Sequence, residues 1–166
     1  MSNKENFTPE EWTKFLESAV VVSVAVSAAE PSGLWGTLKE AAANSSALAS
    51  AKSDTHSNEL IKAVIADFET SEGRTDIQKA MRERFAGAEP DDCVQRSLAS
   101  LREVSGLLYA KASGDAAAFK IWLRNISQKV AEAAVEGSFL GFSGVRVSDA
   151  ETATILEIDK ALGVTS

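Results

Sequence analysis

The chain reads as an all-α protein, a single compact domain of about seven helices, and three observations predict it. Helix-start signals recur along the sequence, the apolar residues behind them repeat at helical spacing, and no stretch shows the strict alternation of a half-buried strand. At 166 residues with 45% hydrophobic and 25% charged side chains, the chain is one domain by size. It is long enough to bury a stable core without disulfide or metal.

Taken in order, residues 1–6 are expected to form a flexible tail and 7–166 the helical domain. Thr8-Pro9-Glu10-Glu11 opens a helix over 9–29: a hydroxyl caps the free N–H groups, proline takes the first helical position, and the glutamate closes a capping box. Its second half, Ser18–Ala29, resembles the apolar part of a signal peptide. Lys4 and Lys14 are outnumbered there by Glu5, Glu10, Glu11 and Glu17, the wrong sign for such a leader. The run is also shorter than the roughly 20 apolar residues of a membrane span. A helix apolar on nearly all sides belongs at the centre of a core or in a subunit contact.

Thr37-Leu-Lys-Glu40 opens a second helix, over 37–52. The stripe Leu60, Ile61, Val64, Ile65 and Phe68 marks a third, over 55–70. Thr75-Asp-Ile-Gln78 looks like the capping box of a fourth, over 75–86. Leu98, Leu101 and Leu108 mark a fifth over 91–112. Phe119, Trp122, Leu123, Ile126 and Val130 mark a sixth over 115–136, with Asp115 as its cap. Ser148-Asp-Ala-Glu151 opens the last, over 148–162, where Ile155, Ile158 and Leu162 lead to Gly163, suited to a helix C-terminus. Ala41–Ala43, Ala116–Ala118 and Ala131–Ala134 read as close-packing positions.

Several chemistries are poorly supplied. One cysteine, Cys93, and one histidine, His56, make neither a disulfide nor a usual metal set, and they offer a nucleophile little help, so no catalytic residue, metal or cofactor is expected. A buried, inert Cys93 and a reducing, cytoplasmic setting follow. The net charge of -7 argues against nucleic acid as a partner. Arg74, Lys79, Arg82, Arg84 and Arg96 form a local positive zone, readable as a solvated face or a dock for an acidic surface. Trp122 lies in an apolar stripe and belongs to the core; Trp35, in a loop, is a plug or a contact.

The most informative stretch is 136–151, a glycine-punctuated loop carrying Phe139, Leu140, Phe142, Val145 and Val147, which a freely exposed connection would not tolerate. Its glycines Gly137, Gly141 and Gly144 precede a helix start where backbone N–H groups could hold an anion, but their spacing fits neither GxGxxG nor GxxxxGK(S/T), and no strand precedes them. A related grammar occurs earlier: a small-residue apolar helix ending in Glu30, the Pro-Ser-Gly-Leu-Trp35-Gly36 loop, then Thr37-Leu-Lys-Glu40. If the two units are halves related by a pseudo-twofold, the loops lie side by side and Glu30, Glu40, Glu136 and Glu151 ring an aromatic-lined site. The competing reading is that capping boxes are common and capping sufficiently explains Glu40 and Glu151.

Gly144-Val-Arg146-Val-Ser-Asp-Ala-Glu151, with Ile155, Ile158 and Leu162-Gly163, resembles the Asp-Gly-x-hydrophobic-Ser-x-x-Glu helix entry of TerB-like tellurite-resistance proteins, mainly over 130–163. The resemblance implies an all-helical domain with related halves and a link to stress responses. Ser143 replaces the family's Asp, which weakens the cation binding suspected in that family. The expected function is a non-enzymatic binding or assembly module that takes a protein partner or a second copy. Its expected interaction residues are Glu30, Trp35, Gly36, Glu40, Glu136, Gly137, Phe139, Gly141, Phe142, Gly144, Arg146 and Glu151. The alternative is a small-ligand or metal-ion carrier, or an enzyme, using a cavity between the half-domains.

Overall fold

The protein is described by a computed structural model covering residues 2–29, 58–137 and 147–164, with backbone only for 133–137. These residues form six α-helices and no strand. The helices are α1 (Pro9–Ala29), α2 (Glu59–Phe68), α3 (Ser71–Arg84), α4 (Pro90–Lys111), α5 (Ser113–Gly137) and α6 (Asp149–Leu162), preceded by a 3-10 turn at Lys4–Asn6. The helix expected over 37–52 lies outside the described residues.

α1 is the axis of the fold. Every residue from Phe15 to Ala28 is buried, on all sides of the helix, because α2, α3, α4, α5 and α6 all pack against it. By length and composition α1 could also cross a membrane, yet 83% of its apolar window is buried inside this fold. The Thr8 box forms as expected: the Glu11 amide donates to Thr8 Oγ1 at 3.2 Å and the Thr8 amide to Glu11 Oε2 at 2.9 Å.

The core has an aromatic end and an aliphatic body. Phe15 meets Phe7 at 4.7 Å and stands edge-on to Phe119 at 5.5 Å, and Phe119 in turn meets Trp122 at 5.1 Å. Trp122, 2% exposed, is the core residue its stripe predicts. The expected helical stripes are likewise buried, Leu60, Ile61, Val64, Ile65 and Phe68 in α2, Leu98, Leu101 and Leu108 in α4, Phe119, Leu123 and Ile126 in α5, Ile158 and Leu162 in α6, with Val130 and Ile155 half-buried. Cys93 is buried. Gly163 ends α6 in the left-handed conformation, φ 68°.

Two expected helix starts are displaced. Thr75 caps nothing; it lies inside α3 and its hydroxyl donates to the Ser71 carbonyl at 2.8 Å. The cap is Thr70, whose hydroxyl accepts from the Gly73 amide at 2.9 Å. Gly73 is required there, since a Cβ on it would sit 2.1 Å from the Asp67 carbonyl oxygen. Thus α2 and α3 meet too closely for any side chain, and the cap with a glycine three residues on wins over the box further along.

Asp115 is likewise not the cap of α5, which begins at Ser113. Its buried carboxylate accepts from the Ser2 amide at 2.9 Å and from Asn58 Nδ2 at 3.0 Å. Asn58 meanwhile caps α2, accepting from the Ile61 amide at 3.1 Å. The expected flexible tail is therefore tied to the domain: Ser2 is buried, Asn3 and Asn6 cap the short turn, and Lys4 reaches Asp67 at 3.0 Å.

Candidate functional site

The pairings between helices fix their directions. Lys111 with Glu11 at 2.6 Å, Lys14 with Glu103 at 2.6 Å and Ser100 with Glu17 at 3.3 Å make α1 and α4 antiparallel. α5 starts where α4 ends and lays Phe119 on Phe15, so it runs parallel to α1. Arg124 faces Asp159 at 3.3 Å and Lys120 Nζ lies beside Gly163, so α6 returns antiparallel to α5. The C-terminal ends of α1 and α5 and the N-terminal end of α6 consequently share one end of the bundle, opposite the aromatic cluster. We call it the loop end, because α1 and α5 end there and α6 begins there.

Glu151 is the expected site residue whose side chain is described. It is 2% exposed, at the entry to α6. Its Oε2 accepts from the Ser148 amide at 2.9 Å and from the Ser148 hydroxyl at 3.0 Å, and the Glu151 amide donates to Ser148 Oγ at 3.2 Å, completing the expected box. Oε1 is buried without a hydrogen-bond partner. Capping thus accounts for one carboxylate oxygen and leaves the other unexplained. Glu136 and Gly137 lie in the last turn of α5, where the backbone alone is described. Glu30, Trp35, Gly36, Glu40, Phe139, Gly141, Phe142, Gly144 and Arg146 lie outside the described residues.

Two buried charges escaped the sequence reading. Glu17, 1% exposed, pairs with Arg84 and accepts from Ser100, on the floor of a cleft of about 490 Å³ between α1 and α3 that is walled by Lys14, Asp76, Lys79 and Glu83. Asp159 is 3% exposed, and burial pushes its carboxyl above the usual range despite the Arg124 guanidinium beside it. Neither Asp159 oxygen, nor Arg124 Nε, makes a well-aligned hydrogen bond. Both acids carried a signal: Glu17 interrupts an apolar run, and Asp159 falls on the i, i+3, i+4, i+7 stripe of Ile155, Ile158 and Leu162.

The expected positive zone is partly structural. Arg84 serves Glu17, and Arg96 Nη1 donates to the Arg84 and Ala86 carbonyls at 2.9 and 3.1 Å, closing the C-terminus of α3. Among the described residues no group of three or more His, Cys, Asp or Glu is placed to hold a metal ion. Searches against family models, curated proteins and solved structures return no match to this chain.

Proposed function

We propose that this protein is a non-enzymatic helical binding or assembly module whose working surface is the loop end. The observation that carries the reading is the shared end itself. α1 ends at Ala29 and α5 at Gly137 on that end of a scaffold whose axis is buried from Phe15 to Ala28, and in the sequence each is followed by a stretch of glycines and aromatics. Binding residues carried on connections held by a rigid frame are the common arrangement for recognition. The resemblance of the sequence 144–163 to the TerB-like helix entry supports a stress-related role.

The unpartnered Oε1 of Glu151 favours a second reading, a carrier of a small ligand or metal ion between the two units. Native mass spectrometry separates the two: a ligand-free oligomer or a captured protein supports the module, and a co-purifying small molecule or metal supports the carrier. The companion test is Phe139→Ala and Phe142→Ala, followed by mass and thermal melting. Weakened association at unchanged melting supports an interaction surface. A loss of about 3–5 kcal/mol in both variants, with association unchanged, assigns the two rings to the core and removes them from the surface.

A further inference from the structure

We infer that α3 is a strap that parts from α1 while the rest of the bundle stays folded, with the Arg84–Glu17 ion pair as its latch. It lies along the first half of α1, at Glu10 to Glu17, away from the loop end, and does not depend on the function proposed there. Three observations carry it: how little α3 buries, what lies between it and α1, and how its two ends are held.

The local stability of a segment follows the apolar surface it buries, and α3 buries little. Of its 14 residues only Gly73 and Ile77 are buried, whereas α2 buries Leu60, Ile61, Val64, Ile65 and Phe68 among 10, and α1 buries every residue from Phe15 to Ala28. Gly73 has no side chain to contribute. Ile77 is therefore the one buried apolar side chain of the helix, with Ala80 and Met81 half-buried beside it. Part of the face that α3 turns to α1 is cleft and not contact: about 490 Å³ lies between Glu10, Thr13 and Lys14 on α1 and Asp76, Lys79 and Glu83 on α3.

The link across the floor of that cleft is the pair in which Arg84 Nη2 donates to Glu17 Oε1, while Arg84 Nε is buried with no partner. Attraction between buried charges is largely offset by their lost hydration, and an unsatisfied guanidinium N–H adds to that cost. The pair contributes little net energy to closure. It does fix the closed position, because a buried carboxylate without its counter-charge is strongly destabilised, and Arg84 supplies that counter-charge. Opening returns water to both groups. The ends of the strap are held apart from this link: Phe68 before it and Phe85 after it are buried, and Arg96 Nη1 donates to the Arg84 and Ala86 carbonyls. Residues 71–84 thus leave α1 as one unit between two anchors and uncover Glu10, Thr13, Lys14 and Glu17, which the i, i+3, i+4, i+7 spacing puts on one face of α1.

The test is hydrogen exchange of the full chain across low guanidinium concentrations, followed residue by residue by NMR. The α3 amides should exchange together, about a hundredfold or more faster than those of α1 from Phe15 to Ala28, and with a shallower dependence on denaturant. Two mild core variants separate strap opening from global unfolding. Ile126→Val, in α5, should speed exchange in α1, α4 and α5 about two- to tenfold and leave α3 unchanged, because the contacts of Ile126 survive the opening. Ile77→Val should speed exchange in all four helices, since it loosens the closed state itself. Arg84→Met, which strands the Glu17 carboxylate, should speed α3 by about tenfold or more, beyond the effect of Ile77→Val. Exchange in α3 that matches α1 in rate and slope, or that responds to Ile126→Val by the same factor as α1, would overturn the strap. So would α3 amides that exchange independently of one another. An Arg84→Met effect no larger than that of Ile77→Val would overturn the latch.

Discussion

The two ends of the bundle treat buried acids differently. At the aromatic end Asp67 accepts from the Trp12 indole at 2.6 Å and from Lys4 at 3.0 Å, and Asp115 joins Ser2 and Asn58. From the middle of the bundle to the loop end, Asp159 and Glu151 sit deeper than Asp67, with both Asp159 oxygens and Glu151 Oε1 lacking a hydrogen bond. The pKa shifts follow the same division. Burial pushes the Asp67 carboxyl up, but the Trp12 and Lys4 hydrogen bonds prevail and hold it below the usual carboxylate range; for Asp159 burial prevails over Arg124. One end uses its polar groups to close the structure, and the other leaves carboxylate oxygens without hydrogen bonds.

The largest test of this contrast is Phe15→Ala. The ring is fully buried against Phe7, Trp12 and Phe119, and its loss should cost about 3–5 kcal/mol in denaturant unfolding. A cost near zero would show that the aromatic end does not anchor the bundle.

Next come the two aspartates, measured in parallel. Asp67→Asn leaves the Trp12 indole N–H and Lys4 a neutral acceptor in place of a charged one and should destabilise by about 1–2 kcal/mol at neutral pH. Asp159→Asn should be neutral or stabilising there, since folding already disfavours its charge. Their pH dependences have opposite sign. Asp67, with a depressed folded pKa, contributes stability that is complete above the unfolded value of about 3.9 and drains as pH falls through the folded one. Asp159, with a raised folded pKa, carries a penalty that is full above that pKa and disappears as pH falls below the unfolded value. Melting curves of the wild type and the two variants from pH 3 to 7 should therefore converge for Asp67→Asn on acidification. The advantage of Asp159→Asn should shrink over the same range. Parallel curves for all three would break the comparison.

The smallest expected effect is Ser148→Ala, on the order of 1 kcal/mol through the lost cap. No change in the thermal melt would mean that the Glu151 carboxylate is held by something other than this box.

Helix content and the burial of each stripe were legible because periodicity is a local signal: α2 shows its five-residue apolar face and α6 its capping box and closing glycine in the sequence itself. The start of α3 was not. Thr70 and Thr75 offer similar chemistry, and the choice turned on the approach of α2, which leaves room for nothing larger than Gly73. The docking of Ser2 onto Asp115 was invisible for the same reason, because its partner lies 113 residues away. Of the candidate site, Glu151 and its box were legible. Glu17 and Asp159 were visible as charges on apolar faces, but their partners Arg84 and Arg124 became evident only from tertiary packing.

The central position of α1 has a consequence for the protein during synthesis. It is made before the helices that cover most of it, α4 and α5, which begin at Pro90 and Ser113. At about 5–20 residues per second the apolar run from Val20 to Val26 leaves the ribosome several seconds before its packing partners exist. Until then it is an apolar segment without its packing partners. A truncation ending before Ser113 should accordingly be recovered as aggregate or in complex with a chaperone.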